Sequence, residues 1–318
     1  HRVDRRQRQM CIRDRLEDVM ALWAGLGYYS RARNLHACAI KIVVDYGGKF
    51  PQQTEDLTAL PGIGKSTARA IAAFCFDNRE SILDANVQRV LARMHGFQES
   101  IKSAVEINKL WHLADQLVPE DSAQMPKYTQ ALMDFGATVC KPTLPKCQSV
   151  HASTCIYVKD CWAYQNDQVQ RIPLKIKKIP SKLVASEMLL LIHQDEILLT
   201  KRGNSGIWGG LWTLPETPWI EIDNVEKISM LEFQANQFMP MVEFIAAECY
   251  HSKEILAPRK HVFSHRTLYF VVKIIRLEKE KLICSSACKW IKTSDLPSIG
   301  LPTPIKKFLE DYEFLARI

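Results

Sequence analysis

The segment Leu60-Pro61-Gly62-Ile63-Gly64-Lys65-Ser66 decides the fold of the first half of this chain. It follows a short helical run and opens a longer apolar helix that continues to Phe76. The turn predicts positive φ angles at both Gly62 and Gly64 and a close approach of the backbone to a ligand. The next helix would direct its free N–H groups and its positive dipole end towards that ligand, a geometry that suits a nucleic-acid phosphate. A ligand-free helix–turn–helix is the alternative.

A nucleotide-binding P-loop is excluded by the same segment. That motif needs a glycine five positions before the Gly-Lys-Ser sequence, and this chain has Ala59 there.

Composition limits the class of protein. The 318 residues allow two domains, and the 47% hydrophobic content indicates a globular protein. The sequence has no apolar run of membrane-spanning length and its first residues are too charged for a signal peptide, so we expect a cytoplasmic location. The net charge of +7 is compatible with a polyanionic partner. The ten cysteines indicate metal ligands or core thiols rather than disulfides.

Apolar periodicity predicts an all-α domain over residues 16–164. Its predicted helices cover residues 16–23, 30–45, 54–60, 66–76, 84–94, 103–117 and 127–138. The preceding residues 1–15 hold six arginines and little periodicity. This composition favours a non-native or truncated start over a basic DNA-binding arm.

The rest of the chain follows a different pattern. Residues 165–182 form a basic, proline-containing linker, and residues 183–318 form a mixed α+β domain. Predicted strands cover residues 183–193, 196–201, 262–263 and 268–275, and helices lie near 225–237 and 303–316. The predicted fold class is therefore multidomain, all-α followed by α+β.

A cysteine-rich loop closes the all-α domain. Cys140, Cys147, Cys155 and Cys161 are separated by six, seven and five residues. A structural zinc site usually uses close Cys-x-x-Cys pairs, whereas wider spacings can wrap a [4Fe–4S] cluster. Unligated loop thiols are the alternative. For five of the other six cysteines we expect core packing: Cys38, Cys75, Cys249, Cys284 and Cys288.

The hairpin, the segment Leu83-Asp84-Ala85-Asn86-Val87 and the four-cysteine loop occur in one order. In that order they resemble the helix–hairpin–helix DNA glycosylases with an iron–sulfur cluster. Residues 22–35 (LWAGLGYYSRARNL) and 128–137 (YTQALMDFGA) resemble the adenine DNA glycosylase (MutY) branch. Residues 206–212 (GIWGGLW) and Phe263-Ser264-His265 resemble that family's Nudix-like lesion-recognition domain. The resemblance covers about residues 16–318.

The resemblance implies a base excision repair enzyme. Its substrate would be duplex DNA with adenine opposite 8-oxoguanine or guanine, and the reaction would be hydrolysis of the N-glycosidic bond of adenine. The four cysteines would ligate a [4Fe–4S] cluster. The protein would act as a monomer at the bacterial nucleoid.

By the same resemblance, Asp84 is the carboxylate that stabilises the oxocarbenium-like transition state. Its other interpretation, the N-cap of the next helix, is compatible with that role. Asn86 would position the sugar or the attacking water. Ser66 stands where bifunctional glycosylases have a Schiff-base lysine, and Lys65 lies about 100° round the helix. We therefore expect base removal by water without lyase chemistry.

Other positions would contact DNA. Tyr28 would wedge beside the oxidised guanine, and Gln130 would bind an edge of the flipped adenine. Ser264 and His265 would hydrogen-bond 8-oxoguanine. The DNA-binding set is Tyr28, Gly62, Gly64, Lys65, Ser66, Gln130, Ser264 and His265. The alternatives are a core position for Tyr28, a solvent-facing position for Gln130 and an ordinary strand end for Phe263-Ser264-His265.

The chain also departs from the family. The upstream glutamate that protonates adenine and the following Gln-Gln-Thr have no counterpart before Leu22, so we expect weak activity from this sequence as written. The third cysteine ligand is expected at Val150, and Cys155 is assigned instead. Residues 211–237 lack the glutamate-rich Nudix hydrolase signature. We therefore expect the second domain to recognise the DNA lesion and not to hydrolyse a pyrophosphate. The competing functions are lesion binding without catalysis and a bifunctional pyrimidine-lesion glycosylase.

Overall fold

The computed structural model describes residues 15–101, 103–148, 155–174, 181–224, 250–277 and 287–311. The chain divides into two compact units. The sheet unit comprises the described residues of His1–Ala39 and Ile179–Ile318, and the helical unit those of Ile40–Lys178. The sequence-based domain limits of 16–164 and 183–318 differ from this division, because the first helices group with the sheet.

The helices follow the predicted pattern closely. In chain order they are α1 (Leu16–Leu22), α2 (Ser30–Tyr46), α3 (Thr54–Thr58), α4 (Lys65–Phe76), α5 (Ala85–His95), α6 (Ala104–Gln116), α7 (Met125–Asp134), α8 (Trp162–Gln165) and α9 (Thr303–Asp311). The predicted helix 127–138 instead changes to a π-helical turn at Phe135–Val139. The predicted helix near 225–237 lies outside the described residues.

The helical unit is built on buried faces of α4, α5 and α6. Small side chains of α4 (Ala68, Ala72 and Ala73) are fully buried, which lets neighbouring helices approach closely. Helix α5 ends at Gly96, whose φ of +68° closes the helix in the left-handed region. Leu83, Val87 and Leu110 share one hydrophobic cluster, so the segment before α5 is anchored in the core.

The sheet unit contains a mixed sheet. Its strands are β1 (Lys182–His193), β2 (Glu196–Lys201), β3 (Trp212–Thr213), β4 (Ile220–Glu221), β5 (Tyr250–Ile255), β6 (Arg259–Val262), β7 (Arg266–Leu277) and β8 (Cys288–Lys292). Within the described ranges the strand order is β3-β2-β1-β7-β5, with β4 on β1, β6 on β7 and β8 on β2. Strands β1 and β7 pair in parallel from Lys182↔Arg266 to Ile192↔Arg276. The other pairs are antiparallel.

The first helices complete the core of the sheet unit. Val19 and Met20 of α1, together with Tyr29 and Ala32, are buried in the same cluster as the inner residues of β1 and β7. Met20 is only 1% exposed. The hydrophobic effect therefore holds residues 16–39 on the sheet, although their helical periodicity alone assigns them to the helical domain.

The sequence correctly predicted β1, β2 and β7 and missed four strands. Strands β3 and β4 have two residues each, which is too short to show a period. Strand β8 carries lysines at both of its exposed positions, Lys289 and Lys292. The predicted strand at 262–263 is the end of β6, and Phe263 lies beyond it in a turn. Among the described helices, none is both long and apolar enough to cross a membrane.

Candidate functional site

The hairpin between α3 and α4 has one left-handed glycine. Gly62 has a φ of +79°, as predicted. Gly64 has φ −84° and ψ 169°, so the prediction of positive φ at Gly64 was wrong. The reason is its position as the N-cap of α4, which requires extended backbone. An added Cβ at Gly64 would meet no atom within 4 Å, so the backbone of the hairpin is accessible there.

The hairpin is joined directly to the segment that carries Asp84. The Ser66 hydroxyl accepts a hydrogen bond from the Leu83 N–H at 3.1 Å. Asp84 is the N-cap of α5, and its Oδ1 accepts from the Val87 N–H at 2.8 Å. The N-cap interpretation is confirmed. This hydrogen bond holds the carboxylate in place, and its acceptor is Oδ1 rather than Oδ2.

Asn86 is held by a buried arginine that sequence reasoning missed. Arg89 donates to Asn86 Oδ1 at 2.8 Å and to the carbonyl oxygens of Gly136 at 2.7 Å and Cys140 at 2.8 Å. An added Cβ at Gly136 would lie 2.6 Å from Asn86 Cβ, so only glycine fits there. Burial lowers the pKa of Arg89. Arg89 therefore connects the start of α5 to the cysteine loop.

The remaining predicted residues of the helical unit are engaged in local contacts. Lys65 Nζ lies 4.2 Å from the ring centroid of Trp111, and the Arg69 guanidinium lies 5.0 Å from the same ring. This cation–π arrangement had no signal in the sequence. Gln130 is exposed on α7 and donates to Asp134 Oδ1 at 2.8 Å.

The four cysteines of the loop line one pocket, here called the cysteine pocket: Cys140, Cys147, Cys155 and Cys161. Arg93 Nη1 donates to Cys140 Sγ at 3.4 Å, and Cys161 Sγ donates to the Arg93 carbonyl at 3.5 Å. Burial, together with a smaller effect of the neighbouring Cys155, raises the pKa of Cys147 to about 11. Burial also raises the pKa of Cys155. Val150 lies outside the described residues.

The donor set fits an iron–sulfur group. In the described part of the chain, no three or more His, Cys, Asp or Glu side chains form a group that could hold a metal ion. A [4Fe–4S] cluster places its own irons and sulfides between the thiolates, so its ligands need not converge on one atom. Buried thiols with raised pKa values ionise together only beside a cationic centre, which such a cluster supplies. The assigned Cys155 lies with the other three cysteines.

The cysteines outside this loop have mixed environments. Cys38 and Cys288 are buried, as predicted. Cys75 is exposed, so the prediction of core packing was wrong there. It lies near the C-terminal end of α4. Cys249 and Cys284 lie outside the described residues.

A second cavity, of about 400 Å³, lies within the sheet unit. We call it the aromatic pocket, and the lining residues that matter here are Tyr28, Arg33, Trp208, Phe263, Ser264 and His265. Tyr28 is 69% exposed, so the alternative of a core tyrosine was wrong. The Arg31 guanidinium lies 5.0 Å from its ring centroid. Ser264 Oγ and His265 Nδ1 are 3.3 Å apart and exposed.

Aromatic side chains form the inner wall of this pocket. Ring centroids are 5.4 Å apart for Trp208 and Phe263 and 4.6 Å apart for His261 and Phe263. Burial lowers the pKa of His261. Behind Trp208, the Arg202 guanidinium forms an ion pair with Glu216, whose pKa is raised by burial against the opposing effect of Arg202. Sequence reasoning identified Ser264 and His265 but not this wall.

Comparison with known proteins identifies both units. The family model described as HhH-GPD superfamily base excision DNA repair protein matches residues 9–115, and the NUDIX domain model matches residues 187–311. A protein of Buchnera aphidicola subsp. Acyrthosiphon pisum, named adenine DNA glycosylase, is 32% identical over 94% of this chain and 79% of the relative. The chain belongs to the adenine DNA glycosylase family.

Two further adenine DNA glycosylases extend the comparison. That of Buchnera aphidicola subsp. Baizongia pistaciae is 32% identical over 92% of this chain and 77% of the relative. The human protein is 29% identical over 94% of this chain and 61% of its own length. Adenine DNA glycosylases are hydrolases of base excision repair, and the predicted fold class, helix–hairpin–helix plus Nudix-like, is confirmed.

Proposed function

We propose that this adenine DNA glycosylase removes adenine opposite 8-oxoguanine or guanine in duplex DNA, by hydrolysis and without lyase chemistry. The observation that carries the proposal is the connected arrangement of hairpin and carboxylate. Ser66 at the start of α4 binds the Leu83 N–H, and Asp84 follows directly as the cap of α5. A DNA strand bound at the hairpin would thus have a fixed carboxylate nearby.

Asp84 acts electrostatically in this mechanism. Cleavage of the N-glycosidic bond builds positive charge on the deoxyribose, and a fixed carboxylate beside C1′ stabilises that charge. The hydrogen bond from Val87 holds Asp84 in one orientation, so little reorganisation is needed during the reaction. Asn86, held by Arg89, positions the sugar or the attacking water.

Water is the nucleophile because no amine is supplied at position 66. The Ser66 hydroxyl is already an acceptor for the Leu83 N–H. Lys65 Nζ lies over Trp111, and release from that ring would direct it to phosphate. Gly62 and Gly64 bring the hairpin backbone close to the DNA. Gln130 contacts the flipped adenine once its amide leaves Asp134.

The aromatic pocket recognises the lesion. Ser264 and His265 supply hydrogen-bonding groups at its mouth, and the exposed Tyr28, which lines the same pocket, would enter the base stack. Aromatic walls suit a purine, which has two flat apolar faces. The proposed partner is therefore duplex DNA that carries 8-oxoguanine.

The cysteine pocket holds a [4Fe–4S] cluster in this proposal. When bound, the cluster would crosslink the loop through four thiolates. Arg93 and Arg89 bond to the loop backbone and so connect it to α5. The loop and its lysines would then be ordered for phosphate contact.

The test is a single-turnover assay with adenine opposite 8-oxoguanine, guanine or thymine. We expect adenine release in that order of rate, with strand breaks appearing only after alkali. Absence of release opposite 8-oxoguanine, together with retained affinity for that duplex, would favour the binding-only alternative. A covalent DNA adduct trapped by borohydride would favour a bifunctional enzyme.

A further inference from the structure

We propose that Arg33 is a positioning residue that sets the separation of the two walls of the aromatic pocket and thereby its discrimination between 8-oxoguanine and guanine. The inference rests on the proposed function, which places the oxidised base in this pocket. It adds a residue that makes the pocket selective for the lesion without contacting the lesion itself.

The two walls come from distant parts of the sequence. One wall is the segment 26–30 with Tyr28, which leads directly into α2. The other is the turn 206–208 with Trp208. Arg33, one turn into α2, donates from Nη1 to the Gly209 carbonyl at 2.7 Å. This hydrogen bond joins residues 176 positions apart and spans from one wall to the other.

The acceptor belongs to a turn of fixed shape. An added Cβ at Gly209 would lie 2.5 Å from the Ser205 carbonyl oxygen, so no side chain fits there. Trp208 has a φ of +59° and is 4% exposed, which places a bulky residue in an unfavourable backbone region under close packing. Such a turn does not adapt easily. The guanidinium of Arg33 therefore holds α2 at a set distance from a rigid partner.

Apolar contacts also anchor the first wall, because Tyr29 and Ala32 are buried in the core of the sheet unit. Met20 is buried beside Gly210, and Glu17 forms an ion pair with Lys201. These contacts secure the first helix on the sheet unit. Arg33 differs because it both lines the aromatic pocket and bonds to its far wall. Arg33 thus adds a charged hydrogen bond between the two walls, which is stronger than a neutral one.

Wall separation matters because the two bases differ by one exocyclic oxygen and one ring N–H. Discrimination on that scale requires binding groups held within about 0.5 Å of their working positions. Loss of the hydrogen bond from Arg33 to Gly209 would leave Ser264 and His265 in place but allow Tyr28 to move relative to them. Lesion preference should fall, whereas the chemistry at Asp84 in the other unit should not change.

The experiment measures Kd for two duplexes that carry a non-cleavable adenine analogue opposite 8-oxoguanine or guanine. The variants are Arg33→Met, Arg33→Lys and the control Lys41→Met. Lys41→Met removes one positive charge from the same helix and breaks only an exposed ion pair with Asp45. We expect Arg33→Met to lower the ratio of the two Kd values about tenfold, the scale of one charged hydrogen bond. Arg33→Lys should restore part of it and Lys41→Met should leave it unchanged.

A spectroscopic readout separates positioning from general destabilisation. Fluorine NMR of fluorotryptophan-labelled protein, with the Trp208 signal assigned through Trp208→Phe, should show a shifted or broadened Trp208 signal in Arg33→Met. In Arg33→Met, a wild-type Kd ratio together with an unchanged Trp208 signal would overturn this inference and leave the proposed lesion site intact. Equal weakening of both duplexes would assign Arg33 a purely structural role and also overturn it. A wild-type protein that does not prefer 8-oxoguanine would overturn the proposed lesion site and this inference together.

Discussion

The Ser66 hydroxyl lies 3.1 Å from the backbone nitrogen of Leu83 and accepts its hydrogen bond. This contact joins the first turn of α4 to the residue that precedes Asp84. The sequence places these groups 17 positions apart. In the folded chain, the candidate DNA-binding hairpin and the candidate catalytic carboxylate therefore form one structural element.

Ser66→Ala should lower the free energy of unfolding by about 1 kcal/mol, because the partly buried Leu83 N–H loses its acceptor. Urea denaturation measures this change. Ser122→Ala, at an exposed position, is the control and should stay within about 0.5 kcal/mol of wild type. Equal stability of Ser66→Ala and wild type would show that the contact contributes nothing.

The two hairpin glycines should respond differently to alanine. Gly62→Ala should destabilise the protein by about 1 kcal/mol, because its φ of +79° is unfavourable for a residue with a Cβ. Gly64→Ala should fold normally, because its φ of −84° is ordinary and the added Cβ meets no atom within 4 Å. Its methyl group would instead face the incoming DNA, so duplex affinity should fall. Thermal unfolding and Kd measurements on both variants check this; a stable Gly62→Ala or a tight-binding Gly64→Ala would contradict it.

Stability should depend on pH through His261. Burial lowers the pKa of this imidazole in the folded state below its ordinary value of 6.5. The unfolded chain therefore binds the proton more readily, and the His261 contribution to stability is present above pH 6.5 and is lost as the pH falls through the folded-state pKa. His261→Asn should remove this part of the slope.

The measurement is the free energy of unfolding from pH 5 to pH 8, compared between wild type and variant. An identical slope in His261→Asn would refute the assignment.

Iron content tests the cysteine pocket. Protein purified without oxygen should contain about four irons per chain, the content of one [4Fe–4S] cluster. Cys155→Ser should lose most of this iron, because its thiol lines the same pocket as the other three. Cys75→Ser, which alters an exposed cysteine outside the pocket, should keep it. A full iron content in Cys155→Ser would show that a residue other than Cys155 is the third cluster ligand.

Helical periodicity was sufficient to predict most of α1 to α7, because each has a regular apolar face. It could not show that Val19, Met20 and Ala32 pack on a sheet formed more than 140 residues later. The N-cap role of Asp84 could be predicted, because an aspartate directly before a helix is a local sequence pattern. The contacts of Arg33, Arg89 and Lys65 were not predicted, since their partners Gly209, Cys140 and Trp111 lie far away in sequence. Local chemistry is visible in sequence, and long-range contacts of single side chains are not.

The most direct test of the account is the single-turnover rate of adenine release by Asp84→Asn, with Asp121→Asn as the matched control. Both residues are N-caps whose carboxylates accept one backbone N–H, from Val87 at 2.8 Å and from Ala123 at 3.0 Å. Asparagine caps a helix about as well as aspartate, so both variants should unfold near the wild-type midpoint. Asp84→Asn should lose about 100-fold or more in rate, because the charge that stabilises the transition state is gone. Asp121→Asn should react like wild type. Adenine release by Asp84→Asn at the wild-type rate would contradict the catalytic role of this carboxylate.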